Sequence, residues 1–169
     1  MAKPTARVDV TVAAGLGRGA LPRRADFSRW VDAALDEAKA DGLVSLRIAD
    51  AAEMRKLNAR FRGKRKPTNV LSFAAEPDAT RHAIGGDLLG PDFLGDVVLC
   101  APVVASEARA QRKRVRDHYA HLCVHGVLHL LGYDHERAAD ATRMERAEIA
   151  ALDRLGIGDP YRHRADAEK

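Results

Sequence analysis

Stretches in which apolar and polar residues alternate indicate strands that bury one face. Every second residue is a valine in residues 7–12, and every second residue is Val, Leu or Ile in residues 44–48. Residues 69–75, which follow Pro67, and the mostly apolar residues 94–100 also resemble strands. We therefore predict four strands at these positions.

Five further segments carry apolar residues every three to four positions, which is typical of helices with one buried face. Asp26 or a neighbour can cap the first helix, and Asp50 can cap the second. Trp30 and Phe61 lie at apolar positions of these two helices, and we expect both to anchor the core. The predicted helices cover residues 26–39, 51–61, 102–112, 118–131 and 138–155.

The alternation of strands and helices favours an α/β fold in which a sheet of about four strands is covered by helices. With 169 residues and 46% hydrophobic content, the chain is long enough to bury roughly 70% of its unfolded surface in one domain. We predict a single domain over residues 1–169, with flexible ends at residues 1–5 and 162–169. Residues 76–91 are rich in Gly, Pro and Asp and are predicted to form a loop.

Neither a membrane segment nor an export signal is indicated. The chain has no apolar run near 18 residues and no charged and apolar leader with a cleavage site. Cys100 and Cys123 lie in apolar surroundings, which favours packing over a disulfide or metal ligation. We therefore expect a cytoplasmic protein.

Histidines recur along residues 118–129 at intervals of three, four and four residues, so they share one stripe of a helix. His125 and His129 can bind one cation from the same helix face, because side chains four apart stack about one turn, roughly 6 Å, along the axis. Gly132 should end the helix and let the chain fold back with His135. Three histidines with one open position typify catalytic zinc sites, so His125, His129 and His135 are predicted to hold one metal ion.

The stripe leaves an alternative open, because His121 and His125 are also four residues apart. His121 and His129 are separated by about 12 Å of helix rise, so the site uses one pair or the other. The turn beyond His129 favours the later pair, which leaves His118 and His121 to pack or to form hydrogen bonds. Asp134 is interpreted as an orienting or turn residue. A histidine-rich core helix without a metal is the competing interpretation of the whole cluster.

The spacing is close to the H-E-x-x-H motif of metalloproteases, in which the glutamate is the general base. Gly126 occupies the position of that glutamate. A hydrolase built on this site would therefore need another group to act as the base.

Two basic runs flank the motifs of the proposed site, and the first contains no acidic residue. Basic runs attract phosphate backbones by releasing counterions, although a charge run alone is usually a solvated surface. Beside a metal site in a protein of net charge +4, they favour a nucleic-acid substrate. The runs comprise Arg55, Lys56, Arg60, Arg62, Lys64, Arg65 and Lys66, and Arg109, Arg112, Lys113, Arg114 and Arg116.

Residues 125–135, with the sequence HGVLHLLGYDH, resemble the characteristic motif of the YbeY family, bacterial metal-dependent endoribonucleases of ribosomal RNA maturation. Two further blocks agree and occur in the family's order: FRGKRKPTNVLSF at residues 61–73 and LGDVVLC at residues 94–100. The resemblance extends from about residue 44 to residue 161. It implies a small mixed sheet with the histidine helix near its centre.

The resemblance also implies a function: single-strand-specific, metal-dependent endoribonuclease activity in 16S rRNA 3′-end maturation and ribosome quality control. The three-histidine donor set favours zinc as the metal of this endoribonuclease. The implied partners are precursor rRNA, the small ribosomal subunit and its assembly proteins. The resemblance places Arg62 in the active site with His125, His129 and His135. A guanidinium can hold a phosphate with two hydrogen bonds and stabilise its developing charge. Without the resemblance, Arg62 could equally be one more solvated arginine.

Several alternatives stay open at this point. We expect one Zn²⁺ ion per chain. Imidazoles also bind nickel, copper and iron, so the identity of the metal stays open. Either water or the RNA 2′-hydroxyl could be the nucleophile. The competing functions are a metal-stabilised ribosome-assembly factor with little catalysis, and a hydrolase of another bond such as a peptide.

Overall fold

The structure is a computed structural model that describes residues 7–75 and 92–162. The loop predicted at 76–91, the flexible end predicted at 1–5, and all but Arg162 of the end predicted at 162–169 lie outside the described residues. The strands are β1 (Val8–Val12), β2 (Leu43–Ala49), β3 (Val70–Ala74) and β4 (Phe93–Cys100). The α-helices are α1 (Arg24–Glu37), α2 (Ala51–Arg62), α3 (Ala101–Ala110), α4 (Val115–Leu130) and α5 (Ala138–Arg154).

The four strands form one sheet in the order β1-β2-β4-β3. The β1, β2 and β4 strands are parallel, whereas β3 runs antiparallel to β4 and forms an edge. In the register, Val10 lies opposite Leu46, Leu46 opposite Val97, and Val97 opposite Ser72. The predicted α/β fold with a mixed sheet is confirmed.

Helix α4 lies at the centre of the fold. It contacts β3, β4, α1, α3 and α5, and most of its residues are buried. The main core, which includes Trp30, Leu46, Val97 and Leu128, fills the space between the sheet and helices α1, α4 and α5. The contacts of α4 confirm the predicted central position of the histidine helix.

None of the helices in the described parts of the chain is long and apolar enough to span a membrane.

The predicted helix caps have different outcomes. Asp50 caps α2, since its Oδ1 accepts a hydrogen bond of 2.8 Å from the backbone N–H of Glu53. Asp26 is not the cap of α1, because Arg23 occupies that position and the helix begins at Arg24. Asp26 lies in the first turn instead, where its Oδ2 accepts from the backbone N–H of Arg23 at 2.9 Å. An acidic side chain stabilises the start of a helix both at the cap and in the first turn. The sequence alone therefore could not tell which of these two positions Asp26 occupies.

Of the two predicted aromatic anchors, Trp30 is confirmed and Phe61 is wrong. Trp30 is 2% exposed and makes an edge-to-face contact with Phe27 at a centroid distance of 5.1 Å. Phe61 is 39% exposed. It lies in the last turn of α2 and packs its ring against Phe73 of the edge strand β3, where the sheet provides little cover.

Both cysteines are buried free thiols. Burial raises the pKa of Cys100 and of Cys123, so neither is a thiolate at neutral pH. Their predicted role in packing is confirmed.

Candidate metal centre

The helical geometry of α4 brings two histidine side chains together. His125 and His129 lie on consecutive turns, and their Nε2 atoms are 3.1 Å apart. Both rings are only partly buried, so the nitrogens are accessible from the surface. Burial, together with the neighbouring His125 and His135, lowers the pKa of His129 to about 4. His129 is therefore neutral at neutral pH, which is the form that binds a cation.

The turn after α4 adds a third histidine. Gly132 has a φ of +91°, and the backbone N–H of Tyr133 donates to the carbonyl of Leu128 at 3.1 Å, so the chain reverses direction. Asp134 then accepts a hydrogen bond of 2.7 Å from the backbone N–H of His135, which confirms its predicted role in the turn. The His135 ring centroid comes to lie 5.0 Å from that of His129.

These three histidines fit one metal ion. One nitrogen from each of His125, His129 and His135 lies within 4.8 Å of the other two. In a tetrahedral zinc site, two imidazole nitrogens about 2.0–2.1 Å from the ion lie about 3.4 Å apart, so the rings would move closer together on binding a metal. The His135 side chain is 60% exposed, which leaves the cluster open on one side. The donor set matches the three-histidine sites that keep a coordination position free.

A buried carboxylate orients the first histidine of the cluster. Glu148 of α5 is fully buried, and its Oε1 accepts a hydrogen bond from Nδ1 of His125. Burial alone would raise the pKa of Glu148, but hydrogen bonds from His121 and His125 lower it to about 2. The ionised carboxylate holds the proton of His125 on Nδ1 and directs the Nε2 lone pair toward the cluster. Glu148 therefore belongs to the buried face of α5, together with Met144 and Ala151.

The two earlier histidines of the stripe form hydrogen bonds outside the cluster. Nε2 of His118 lies 3.2 Å from Oε1 of Glu107, and Nε2 of His121 lies 3.2 Å from the hydroxyl of Tyr161. The Tyr161 hydroxyl in turn donates to Glu148. The predicted hydrogen-bonding role of His118 and His121 is confirmed, and the alternative pair of His121 with His125 is not brought together with a third ligand among the described residues. Tyr161, the last residue before the predicted flexible end, is part of this network.

Gly126 allows α4 to lie directly against the sheet. A Cβ atom at this position would be 2.7 Å from Cγ1 of Val97 and 3.1 Å from Oγ of Ser72. The carbonyl of Gly126 accepts a hydrogen bond of 2.9 Å from the Ser72 hydroxyl. The metalloprotease glutamate is therefore excluded here by packing as well as by sequence.

A basic cleft of about 880 Å³ contains the three histidines. Arg62, Lys64 and Lys66 line it, and all three are exposed. The buried amide of Asn58 donates to the carbonyl of Lys66 at 2.7 Å and so ties this basic segment to α2. The structure thus brings Arg62, predicted as a site residue, into the same cleft as the histidine cluster.

The second basic run is partly structural. The guanidinium of Arg116 pairs with Asp26 and lies over the ring of Trp30 at 5.8 Å. Nζ of Lys113 donates to the carbonyl of Pro160 at 3.1 Å. These two cations hold neighbouring segments together.

Comparison with known proteins places the chain in a family. The model of the family described as endoribonuclease YbeY matches residues 21–156. The chain belongs to the endoribonuclease YbeY family. Endoribonuclease YbeY of Stenotrophomonas maltophilia (strain K279a) is 47% identical over 162 residues, which are 95% of this chain and 98% of the relative.

Two further similarities agree with membership of the YbeY family. Endoribonuclease YbeY of Alkalilimnicola ehrlichii is 53% identical over 147 residues, or 86% of this chain and 85% of the relative. The solution structure of TM1509 from Thermotoga maritima has a TM-score of 0.53 and 22% identity, and covers 88% of this chain and 91% of that one. The TM1509 structure supports the fold alone. The resemblance seen in the sequence motifs is confirmed.

In this YbeY-family chain, sequence reasoning missed Glu148 and Tyr161. A signal for Glu148 was present, since it lies four residues after Met144 and three before Ala151, both of which are buried positions of α5. A charged residue on the apolar stripe of a helix needs a partner, and His125 is that partner. No comparable signal marked Tyr161, because its contact depends on how the chain folds back beyond α5.

Proposed function

We propose that this member of the endoribonuclease YbeY family is a zinc-dependent enzyme that cleaves single-stranded regions of precursor rRNA. In this proposal it acts in 16S rRNA 3′-end maturation and ribosome quality control, in the cytoplasm. Its partners are the small ribosomal subunit and its assembly proteins. The main supporting observation is the convergence of His125, His129 and His135 inside a basic cleft.

His125, His129 and His135 would hold one ion, and Glu148 would keep the first of them in the correct tautomer. A bound zinc ion would polarise a phosphoryl oxygen as a Lewis acid. Nickel and other divalent transition metals also accept three imidazoles, so the proposal of zinc needs a direct test.

Arg62 and the neighbouring lysines would bind the RNA backbone. The Arg62 guanidinium lines the cleft and can form two parallel hydrogen bonds to a phosphate, which places the phosphodiester and offsets the charge that grows on it. Lys64 and Lys66 add positive charge along the same cleft. This distribution supports a polyanionic substrate more strongly than a peptide.

Incubation with labelled single-stranded RNA, the matching duplex and casein tests the proposal. We expect cleavage of the single strand alone and loss of cleavage after chelation, with recovery on adding zinc. Metal analysis of protein purified without an affinity tag identifies the resident ion. Cleavage of casein instead of RNA would support a hydrolase of another bond.

His135→Ala separates catalysis from metal-supported folding. His135 is exposed, so its loss should remove the metal without opening the core. We expect a folded variant with little metal and no RNA cleavage. Cleavage that survives in a folded, metal-free variant would contradict the catalytic proposal. Wild-type protein that keeps its metal and cleaves no RNA would support the assembly-factor alternative.

A further inference from the structure

A second cavity, of about 480 Å³, adjoins the histidine cluster. Asn69, Val70 and His125 line both this cavity and the basic cleft, so the two spaces meet at the first histidine of the cluster. An RNA strand with its phosphate at His125 would therefore pass the mouth of the second cavity.

The walls of this cavity combine apolar and ring surfaces with a few polar groups. Val70, Leu122 and Pro160 contribute apolar surface, and Tyr161 and His121 contribute rings that meet edge to face at 5.4 Å. The volume and this mixture are typical of pockets that bind small organic groups. The walls are well fixed, since Lys113 binds the carbonyl of Pro160 and the Tyr161 hydroxyl binds Glu148.

Glu107 places a carboxylate at the cavity. The side chain is 32% exposed, and its position is held by hydrogen bonds from Nδ2 of Asn69 at 3.0 Å and Nε2 of His118 at 3.2 Å, both to Oε1. Among the described residues, its Oε2 receives only a longer contact of 3.3 Å, from Asn69. A carboxylate has about four acceptor sites, so Glu107 can accept a further hydrogen bond from a ligand.

We propose that this cavity binds a nucleobase of the RNA next to the phosphodiester at the histidine cluster, and that Glu107 favours bases that carry an amino group. The inference rests on the proposed function. Adenine, cytosine and guanine each present an exocyclic amino donor, and carboxylates accept from such groups. Uracil has no amino group, and its one N–H donor lies between two carbonyl oxygens. A carboxylate repels these oxygens, so Glu107 should bind uracil less well.

A cleavage series with short single-stranded RNAs tests this inference. Each RNA carries A, C, G, U or an abasic residue at one position near the cleavage site, and kcat/KM is measured for every position. At one position we expect the abasic RNA to be cleaved at least about fivefold more slowly, as for the loss of a stacked base. At that position the RNA that carries uracil should also have a lower kcat/KM than the RNAs that carry adenine, cytosine or guanine.

Two variants test the role of residues that line the cavity. Glu107→Gln should remove the difference between uracil and the amino-bearing bases. Because this change also touches Asn69 and His118, Gln111→Tyr provides a second variant, at an exposed residue that lines the cavity. It should slow cleavage of base-containing RNAs toward the rate of the abasic one. Thermal unfolding checks that both variants are folded.

Binding by metal-free protein keeps this inference distinct from the proposed function. Fluorescence anisotropy with 2′-O-methyl RNAs, which the metal-free protein should leave intact, should show at least about fivefold weaker binding when the base at that position is missing. Equal binding and equal cleavage of all five RNAs at every position would overturn the inference. A base-dependent affinity without any RNA cleavage would support the nucleobase site and contradict the proposed catalysis.

Discussion

Glu148 accepts a hydrogen bond from Nδ1 of His125, although the two residues are 23 positions apart and belong to different helices. The Glu148 side chain is fully buried, and its second oxygen binds the Tyr161 hydroxyl. The contact sets the orientation and tautomer of one predicted metal ligand from inside the core. Helix α5, which contributes no ligand to the cluster, thus prepares the site.

Glu148→Gln should weaken metal binding about 10- to 100-fold, the usual effect of removing a carboxylate behind a ligating histidine. The glutamine side chain would have a similar shape but no charge to hold the proton on Nδ1 of His125. Zinc affinity is measured by competition with a chromophoric chelator. Glu145→Gln on the same helix is the matched control and should bind zinc like the wild type. Equal affinities for the two variants would contradict an orienting role.

Gly126→Ala should destabilise the fold by about 1 kcal/mol. Overpacking a core costs about 1–3 kcal/mol, and the gain of about 1 kcal/mol from placing alanine in a helix offsets only part of a typical cost of about 2 kcal/mol. The added Cβ would press against Cγ1 of Val97, a fully buried residue. Thermal unfolding should show a Tm about 2–4 °C lower. Gly17→Ala is the control, because a Cβ at that position meets no atom within 4 Å. A similar Tm for the two variants would argue against the close packing of α4 on the sheet.

Stability should fall as the pH is lowered below about 6.5, partly because of His118. Burial lowers the pKa of His118, and its hydrogen bond with Glu107 only partly opposes this effect. Between the folded pKa and 6.5, the unfolded chain takes up a proton that the folded chain does not, so the free energy of unfolding decreases with falling pH. Denaturant unfolding of wild type and His118→Gln at about pH 5 to 8, a range that brackets the ordinary histidine pKa, measures the effect. The stability difference between them should narrow below about pH 6.5; a constant difference would show that His118 is not responsible.

The sequence predicted those features that depend on local periodicity. Alternating valines marked β1, and the spacing of His125, His129 and His135 identified the cluster, because helix geometry and one glycine turn determine where these rings lie. Features that depend on tertiary packing were missed. Phe61 looked like a core residue, but the end of α2 lies over an edge strand, and nothing in the local pattern reveals an edge.

In the candidate site too, the residues that are close in sequence were predicted and those brought in by tertiary packing were missed. The ligands occur close together in the chain, whereas Glu148 and Tyr161 come from a later helix and the turn beyond it. Their contacts required the packing of α5 against α4. A charged residue on an apolar stripe was the one signal available in advance, and it identifies a residue that needs a partner without naming that partner.

Arg62→Ala should lower kcat for RNA cleavage by about 10²- to 10³-fold, the usual effect of losing one group that stabilises developing charge. Arg65→Ala is the matched control. Both arginines are exposed in the same basic segment, but Arg62 lines the cleft with the histidines, whereas Arg65 lies outside the cleft. Arg62→Lys should restore only part of the rate, because an ammonium cannot form the paired hydrogen bonds of a guanidinium. If the two alanine variants lose activity equally, the basic segment acts only by attracting RNA, and Arg62 has no specific role at the phosphodiester.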